Sequence, residues 1–252
     1  MSVAVVTAAA GGIGGAVVKT LLAEKVVSRV IGADTVEPAD PLPDGAELVC
    51  CDLRTDEGMA ALAAAVPEKL TVLVNVLGGE RQPPVKEIED VAWPPPEVWD
   101  DILDLNLSMV YRLTRLLAGR LAPGAAICNV SSIAAAMPWT VSPAYGAAKA
   151  ALEHWSNSLA VHLADSGVRV NLVRPGFVWS RQWQLVDRDE FENVVRDRVP
   201  LRQVTGLTPT DREQLPGDIA NTVAYLCSPA SAHVTGQAIN VDGGAVLVRA
   251  AR

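Results

Sequence analysis

The sequence contains no long hydrophobic run, although half of its 252 residues are hydrophobic. A helix that crosses a bilayer needs roughly 20 consecutive apolar residues, and no segment of this chain approaches that length. The N-terminal segment MSVAVVTAAAGG also lacks the basic residues that precede the apolar region of a signal peptide. We therefore expect a cytoplasmic protein with no membrane partner.

Cysteine, histidine and positive charge are all scarce. Cys50 and Cys51 are adjacent and Cys128 and Cys227 stand singly in apolar segments, so neither a disulfide framework nor a CxxC pair is present. The three histidines show no metal-ligand spacing, and we expect no bound metal. The net charge of -8 argues against nucleic acid as a partner, because the mean field would repel it.

What the chain has in abundance is alternation. Short β-branched segments alternate with longer segments of helical periodicity: VAVVT, RVIGA, ELVCC, TVLVNVL, AAICNV and VRVNLV. Strands that are apolar on both faces are typical of a parallel sheet covered by helices. The sequence therefore predicts an α/β fold, a doubly wound, Rossmann-like parallel sheet with helices on both faces, in one domain over 1–252. A charged, irregular segment at 179–216 reads as a loop or lid.

A glycine-rich turn, TAAAGGIGG, joins the first strand to the first helix. Glycines at such a turn let backbone N–H groups approach a pyrophosphate at the helix N-terminus, although turn geometry alone can also require them. The next strand ends at Asp34, 20 residues after Gly14, where a dinucleotide site places the carboxylate that accepts the ribose hydroxyls. A solvated strand end is the alternative interpretation of Asp34.

The Asp34 carboxylate also predicts which dinucleotide binds. It would face the 2′-phosphate of NADP at short range, and neither Gly11 nor Thr35 supplies a compensating cation. The sequence therefore favours NAD.

Tyr145 and Lys149 interrupt the small-residue segment PAYGAAKAAL. Residues four apart on a helix share a face, so the phenol and the ammonium should lie one turn apart on one side. Thirteen residues before Tyr145, an apolar strand ends in Ser131 and Ser132, at the edge where open α/β sheets bind ligands.

Together these segments resemble the short-chain dehydrogenase/reductase family over nearly the whole chain. TAAAGGIG resembles the TGxxxGxG turn of that family, CDL its adenine-contacting acidic dipeptide, and NVLG its NNAG strand end. RPGFVWS resembles the PGxxxT segment beside the nicotinamide, and GQAINVDGG the C-terminal strand.

The resemblance implies two sets of site residues. The catalytic set comprises Asn106, Ser132, Tyr145 and Lys149. The cofactor contacts comprise Gly12, Ile13, Gly14, Asp34, Asp52, Leu53, Asn75, Gly78, Tyr145, Lys149, Pro175, Val178 and Ser180.

Several positions depart from the family pattern. Ala8 replaces the first motif glycine, and Val76 and Leu77 replace the usual Asn-Ala pair. The connection over 34–47 is too short and proline-rich for a crossover helix, and the segment 202–216 is longer than usual. We expect the phosphate turn to survive, because alanine is small.

Tyrosine is a poor base until something stabilises its phenolate, since its ordinary pKa is about 10. Lys149 and the cationic nicotinamide of NAD⁺ would favour the charged form. By resemblance, Lys149 also bonds the nicotinamide ribose, Ser132 holds the substrate oxygen and Asn106 anchors a water that relays the proton.

The sequence thus predicts an NAD-dependent oxidoreductase that interconverts a secondary alcohol and a ketone. Tryptophans at 139, 179 and 183, with Met137, suggest an apolar, cyclic or aromatic substrate, although core or lid packing explains them equally well. An alternative within the family is a carrier-protein or acyl-thioester ketoreductase. An alternative of another class is a catalytically silent dinucleotide-binding scaffold.

The resemblance also predicts self-association. Family members commonly pair their two long helices, here expected at 97–122 and 144–165, across a two-fold axis. We therefore expect a homodimer or homotetramer.

Overall fold

The computed structural model describes residues 2–79, 92–138, 142–179, 187–199 and 214–247. The strands are β1 (Val3–Thr7), β2 (Arg29–Asp34), β3 (Ala46–Cys50), β4 (Leu70–Asn75), β5 (Leu121–Val130), β6 (Arg169–Pro175) and β7 (Ala238–Val241). The α-helices are α1 (Gly12–Ala23), α2 (Asp56–Ala65), α3 (Pro96–Leu103), α4 (Met109–Leu117), α5 (Pro143–His162), α6 (Arg188–Arg198) and α7 (Pro216–Cys227). A π-helical segment, Asp104–Ser108, joins α3 to α4.

The seven strands form one sheet in the order β3-β2-β1-β4-β5-β6-β7, and every neighbouring pair is parallel. The chain builds the sheet outward in two directions from the boundary between β1 and β4. The strands β2 and β3 follow on the side of β1, and β5, β6 and β7 follow on the side of β4. In such sheets ligands bind outside the carboxyl ends of the strands at this switch point. The doubly wound α/β fold predicted from the sequence is confirmed.

Helices cover both faces of the sheet because the strand side chains alternate between them. On one face, residues such as Val6 and Val30 pack with α1 and α7. On the other, residues such as Val5 and Ile31 pack with α2 and α4. The interior strand β1 is buried along its whole length, as the apolar pattern on both faces predicted.

Two further predictions concerned the segment between β2 and β3 and the long helix before β5. The segment between β2 and β3 contains no helix, as its length and prolines predicted. The helix expected at 97–122 ends earlier, because a 3₁₀ turn covers Ala118–Arg120 and Leu121 already pairs with Leu70 on β4. That expectation was wrong at its C-terminal end, since strand pairing overrides the helical periodicity there.

Cys128 and Cys227, which stand singly in the sequence, lie close together in the fold. Cys128 on β5 and Cys227 at the end of α7 are buried in the same core cluster. A hydrogen bond to Cys227, together with burial, raises the pKa of the Cys128 thiol. All four cysteines are free thiols. Over the part of the chain that the structure describes, no helix is both long and apolar enough to cross a membrane.

Candidate active site

The glycine-rich turn between β1 and α1 is built for close backbone contact. A Cβ atom on Gly14 would lie 2.0 Å from the carbonyl oxygen of Ala8, so the first turn of α1 packs directly against the strand end. Gly12 has a φ of +53° and Ala8 has the same left-handed value, in the position that a glycine occupies in the family motif. The turn therefore keeps its shape with alanine, as expected, but at the cost of a strained residue.

Asp34, at the end of β2, faces this turn. Its Oδ2 accepts a hydrogen bond of 2.9 Å from the backbone N–H of Ala10, and its Oδ1 accepts one of 2.8 Å from Thr35. The carboxylate is thus oriented by the turn itself and is not a freely rotating strand end. It lines a cleft whose walls are Ala8, Ala33, Asp34, Thr35, Cys51, Asp52, Leu53, Arg54, Leu77, Leu105 and Met109.

Arg54 also lines this cleft and was missed at the sequence level. Its guanidinium forms a forked pair with Asp52, with Nε 3.0 Å from Oδ1 and Nη2 2.7 Å from Oδ2. The hydrogen bond to Asp52 raises the pKa of Arg54, and Asp101 and Asp104 add to that effect. The positive charge of Arg54 is therefore compensated by Asp52 and, more weakly, by Asp101 and Asp104.

Lys149 is almost fully buried, with 2% of its surface exposed. Its Nζ donates a hydrogen bond of 2.9 Å to the carbonyl of Val130 at the end of β5, and lies 5.7 Å from the centre of the Tyr145 ring. Burial lowers the pKa of Lys149 to about 8, against the opposing effect of the Glu153 carboxylate. The structure thus brings the two residues of the Tyr-x-x-x-Lys pattern together at the carboxyl edge of the sheet.

Gly78 lies between the side chains of Asn106 and Lys149 and contacts both. A Cβ on Gly78 would lie 2.6 Å from both Asn106 Oδ1 and Lys149 Nζ, and Gly78 has a φ of +142°. Asn106, in the π-helical segment, accepts a hydrogen bond from the N–H of Gly79 (3.0 Å) and donates to the carbonyls of Gly79 and Ile102 (both 2.9 Å). Asn106 therefore fixes the segment after β4 beside the lysine.

Ser132 begins a short 3₁₀ turn after β5. Its Oγ accepts a hydrogen bond of 3.1 Å from the N–H of Ala134, and the side chain is partly exposed. A Cβ on Gly146 would lie 3.2 Å from the carbonyl of Ala134, so this turn packs closely on the helix that carries Tyr145. Ser132 and Tyr145 are thus held on facing elements.

The remaining predicted contacts lie in different surroundings. Asn75 is buried, and its amide donates to Thr114 and Asn129 within the core, so the side chain contributes almost no accessible surface. Pro175 ends β6 beside the serines, and Val178 is buried where it bridges to Gln214. Ser180 and most of the predicted lid lie outside the described residues.

A buried carboxylate, Glu153, was also missed. Its Oε1 accepts hydrogen bonds from Ser131 Oγ (2.6 Å) and Arg174 Nε (2.7 Å), and Arg174 Nη2 binds the other oxygen. Glu153 lies four residues after Lys149, on the same buried face of α5. The i, i+4 spacing of Lys149 and Glu153 was visible in the sequence. The partners of Glu153, which are Ser131 after β5 and Arg174 on β6, were not.

The apolar residues expected near the substrate pack against protein. Met137 is buried in a cluster with Phe177 and Phe191. The Trp179 ring lies 4.8 Å from the Phe191 ring, and the Arg188 guanidinium stacks 4.4 Å from Trp179. Packing thus accounts for Met137 and Trp179. The other two tryptophans, at 139 and 183, lie outside the described residues.

Comparison with known proteins identifies the family that this fold and site define. Residues 8–246 match a family model described as enoyl-(acyl carrier protein) reductase. The chain is 32% identical to the 3-oxoacyl-(acyl-carrier-protein) reductase FabG of Vibrio cholerae, over 98% of each chain. It is 36% identical to cis-4-hydroxycyclohexanecarboxylate dehydrogenase of Sinomonas cyclohexanicum, over 98% of this chain and 97% of that protein.

Solved structures agree. A short-chain dehydrogenase family protein from Francisella tularensis matches with a TM-score of 0.83 and 25% identity, covering 98% of this chain and all of that one. A 7α-hydroxysteroid dehydrogenase in complex with NADH and 7-oxo glycochenodeoxycholic acid matches with a TM-score of 0.80 and 26% identity, over 97% and 94% of the two chains. The chain belongs to the short-chain dehydrogenase/reductase family of oxidoreductases.

Proposed function

We propose that this protein is an NAD-dependent oxidoreductase that interconverts a secondary alcohol and its ketone. The observation that carries this proposal is the buried Lys149 ammonium beside the Tyr145 ring, at the carboxyl edge of the sheet. The Asp34 carboxylate, which the turn after β1 orients, lines a cleft of the same protein. A buried lysine with a lowered pKa beside a tyrosine is a costly arrangement that acid/base chemistry explains.

In the proposed reaction Tyr145 takes the proton from the substrate hydroxyl during oxidation and returns it during reduction. With a pKa of about 8, Lys149 remains mostly protonated near pH 7, so its charge can stabilise the phenolate. The Ser132 hydroxyl would hold the substrate oxygen, since it lies at the facing turn and is partly exposed. Asn106 would support proton relay by fixing the neighbouring backbone.

The residues present fit a dinucleotide. Gly12 has the left-handed φ that this turn uses, Gly14 allows the close approach of α1 to the carbonyl of Ala8, Asp34 lines the cleft, and Gly78 packs directly against Lys149 Nζ. When bound there, the nicotinamide ring would supply the hydride acceptor or donor. The chain's own part is to hold the pyrophosphate on the backbone of the turn and the ribose hydroxyls on Asp34.

The charges around the cleft support NAD over NADP. Asp34 would repel a 2′-phosphate, and Arg54, the cation that lines this cleft among the described residues, is already paired with Asp52. The neighbour solved with NADH is consistent with this choice.

A cyclic secondary alcohol is the substrate class we favour. Two of the matches act on ring substrates by their names, cis-4-hydroxycyclohexanecarboxylate dehydrogenase and 7α-hydroxysteroid dehydrogenase. A second candidate, reduction of a 3-oxoacyl thioester, is favoured by the FabG relatives, which match over almost the whole chain.

A substrate panel tests these assignments. Purified protein would be mixed with NAD⁺ and cyclic secondary alcohols, or with NADH and either cyclic ketones or an acetoacetyl thioester, while absorbance at 340 nm is followed. We expect turnover with the cyclic alcohols and ketones, and its loss in Tyr145→Phe. Faster turnover of the thioester would favour the second candidate, and NADH binding without any turnover would favour a silent scaffold.

A further inference from the structure

Glu153 is a buried carboxylate that the proposed reaction does not use. Only 9% of the residue is exposed, and a carboxylate in such surroundings is costly unless it is paired and hydrogen-bonded. Apolar residues occupy neighbouring buried positions of α5, such as Leu152 and Ala148. A charged residue at position 153 therefore calls for an explanation beyond packing.

The partners of Glu153 and Lys149 lie next to one another on two strands. On β5, the carbonyl of Val130 accepts from Lys149, and the hydroxyl of the following residue, Ser131, donates to Glu153. On β6, Arg174 holds both carboxylate oxygens from the other side. The end of β5 thus contacts both the ammonium and the carboxylate, which lie one helical turn apart on α5.

The charges in this cluster do not cancel. Among the described residues, the titratable groups that face Lys149 are Tyr145 and Glu153 on its own helix, and Arg174 on β6 binds the Glu153 carboxylate. Asn106 and the segment at Gly78 contribute no charge. Glu153 is thus the anion that acts on the Lys149 ammonium and also pairs with Arg174, so its loss would leave both cations without this carboxylate.

We infer that Glu153 is a positioning residue for Lys149: held by Ser131 and Arg174, it keeps the buried ammonium charged and in place for Tyr145. The catalytic consequence rests on the function proposed above, whereas the link between the two side chains can be measured in the protein without cofactor or substrate.

The measurement is the pH dependence of stability. The pKa of Lys149 is about 8 in the folded protein against an ordinary value of 10.5, so the folded state binds fewer protons than the unfolded state between these values. Stability should therefore rise as pH increases through this window and fall as pH drops through about 8. Glu153→Gln keeps the shape but removes the anion, and should move the start of this rise lower by about one pH unit or more.

The test uses urea denaturation from pH 6 to pH 10.5 and a double-mutant cycle. In a Lys149→Met background, where the titrating group is absent, Glu153→Gln should no longer change the shape of the profile. Arg174→Gln removes a cation instead and should move the rise to higher pH, which keeps the test decisive if Glu153→Gln folds poorly. Glu47→Gln, which breaks a surface pair with Arg29, is the matched charge-removal control and should leave the profile unchanged in shape.

Parallel pH profiles for Glu153→Gln and the wild type would overturn the inference and leave Glu153 a structural residue. In the active enzyme, Glu153→Gln should lower kcat about twofold or more near pH 7 with a smaller change in KM, and the deficit should narrow above about pH 9, where Lys149 is neutral in both proteins. If no alcohol or ketone is turned over by the wild type, the proposed function fails, while the stability cycle still decides the link between Glu153 and Lys149.

Discussion

Tyr145 and Lys149 lie one turn apart on α5, yet their variants should fail in different ways. Tyr145→Phe removes a hydroxyl whose main role arises in the transition state. We expect NAD affinity to stay nearly unchanged and kcat to fall by about 10²–10⁴. Titration calorimetry and steady-state kinetics measure the two quantities separately.

Lys149→Met should lower cofactor binding and turnover together. It removes the proposed ribose contact and the positive charge that would stabilise the Tyr145 phenolate, so any residual rate should rise only at more alkaline pH. If Tyr145 and Lys149 had only a structural role, replacing either residue would instead lower the melting temperature and leave the turnover of each folded molecule unchanged. Near wild-type rates in both folded variants would contradict the catalytic assignment.

Asp34 should determine the choice of dinucleotide. Replacing Asp34 by Ala removes the repulsion, and adding Thr35→Arg supplies a partner for the 2′-phosphate, so the double variant should prefer NADPH over NADH in calorimetric titrations. Thr35 is exposed and lines the cleft, so an arginine has room there.

Asp40→Ala is the matched control for this prediction. Asp40 is exposed in the same connection between β2 and β3 but does not line the cleft, so its loss should leave the preference unchanged. Equal affinity of the wild-type protein for NADH and NADPH would show that the electrostatic argument is wrong.

At the scale of elements, the turn between β1 and α1 holds one residue in an unfavourable conformation. Ala8 has a φ of +53°, where an L-residue is strained by roughly 1–2 kcal/mol and glycine is not. Glycine has more conformational entropy than alanine in the unfolded chain, and this offsets part of the gain from relieving the strain. Ala8→Gly should therefore stabilise the protein by a net of about 0.5–1 kcal/mol.

Ala10→Gly provides the comparison for the Ala8 variant. Ala10 lies in the same turn but without a positive φ, so glycine there should destabilise the protein by about 0.5–1 kcal/mol. Urea denaturation of the two variants at one pH measures both changes. Equal destabilisation by the two substitutions would mean that Ala8 is not strained.

The strands and the site residues were predictable to different degrees. Strands such as VAVVT are apolar on both faces, and this local pattern is enough to predict a covered parallel sheet. The Tyr145 and Lys149 pair was predictable because its spacing is that of one helical turn. The end of the helix before β5 was not, because pairing of Leu121 with Leu70 is a contact between distant parts of the chain.

Two of the contacts that sequence reasoning missed share one property. Glu153 on α5 is bound by Arg174 on β6, and Cys128 on β5 contacts Cys227 at the end of α7. Each partner is far away in the sequence, so no local spacing of residues predicts the contact. Arg54 is the exception, since Asp52 is only two residues away, and a search for cations near the acidic dipeptide would have found it.

At the scale of the whole molecule, the long helices leave apolar surface uncovered in a single chain. Tyr111 and Leu116 on α4 are each 45% exposed, and Val161 on α5 is 75% exposed. The Tyr111 and Trp155 rings contact each other edge to face, 6.0 Å apart, which joins the two helices at this surface. Aromatic residues of this kind are enriched in protein interfaces.

We therefore expect these helices to pair with a second copy across a two-fold axis, which brings the same surface together from both chains. Light scattering at micromolar concentration should give a dimer or tetramer, and Tyr111→Glu should shift it toward smaller species, because a charge at a self-complementary contact is buried twice in each dimer. Val36→Glu alters an exposed apolar residue on the connection after β2 and should leave the mass unchanged. A wild-type mass of 26.5 kDa, that of one chain, would contradict the prediction.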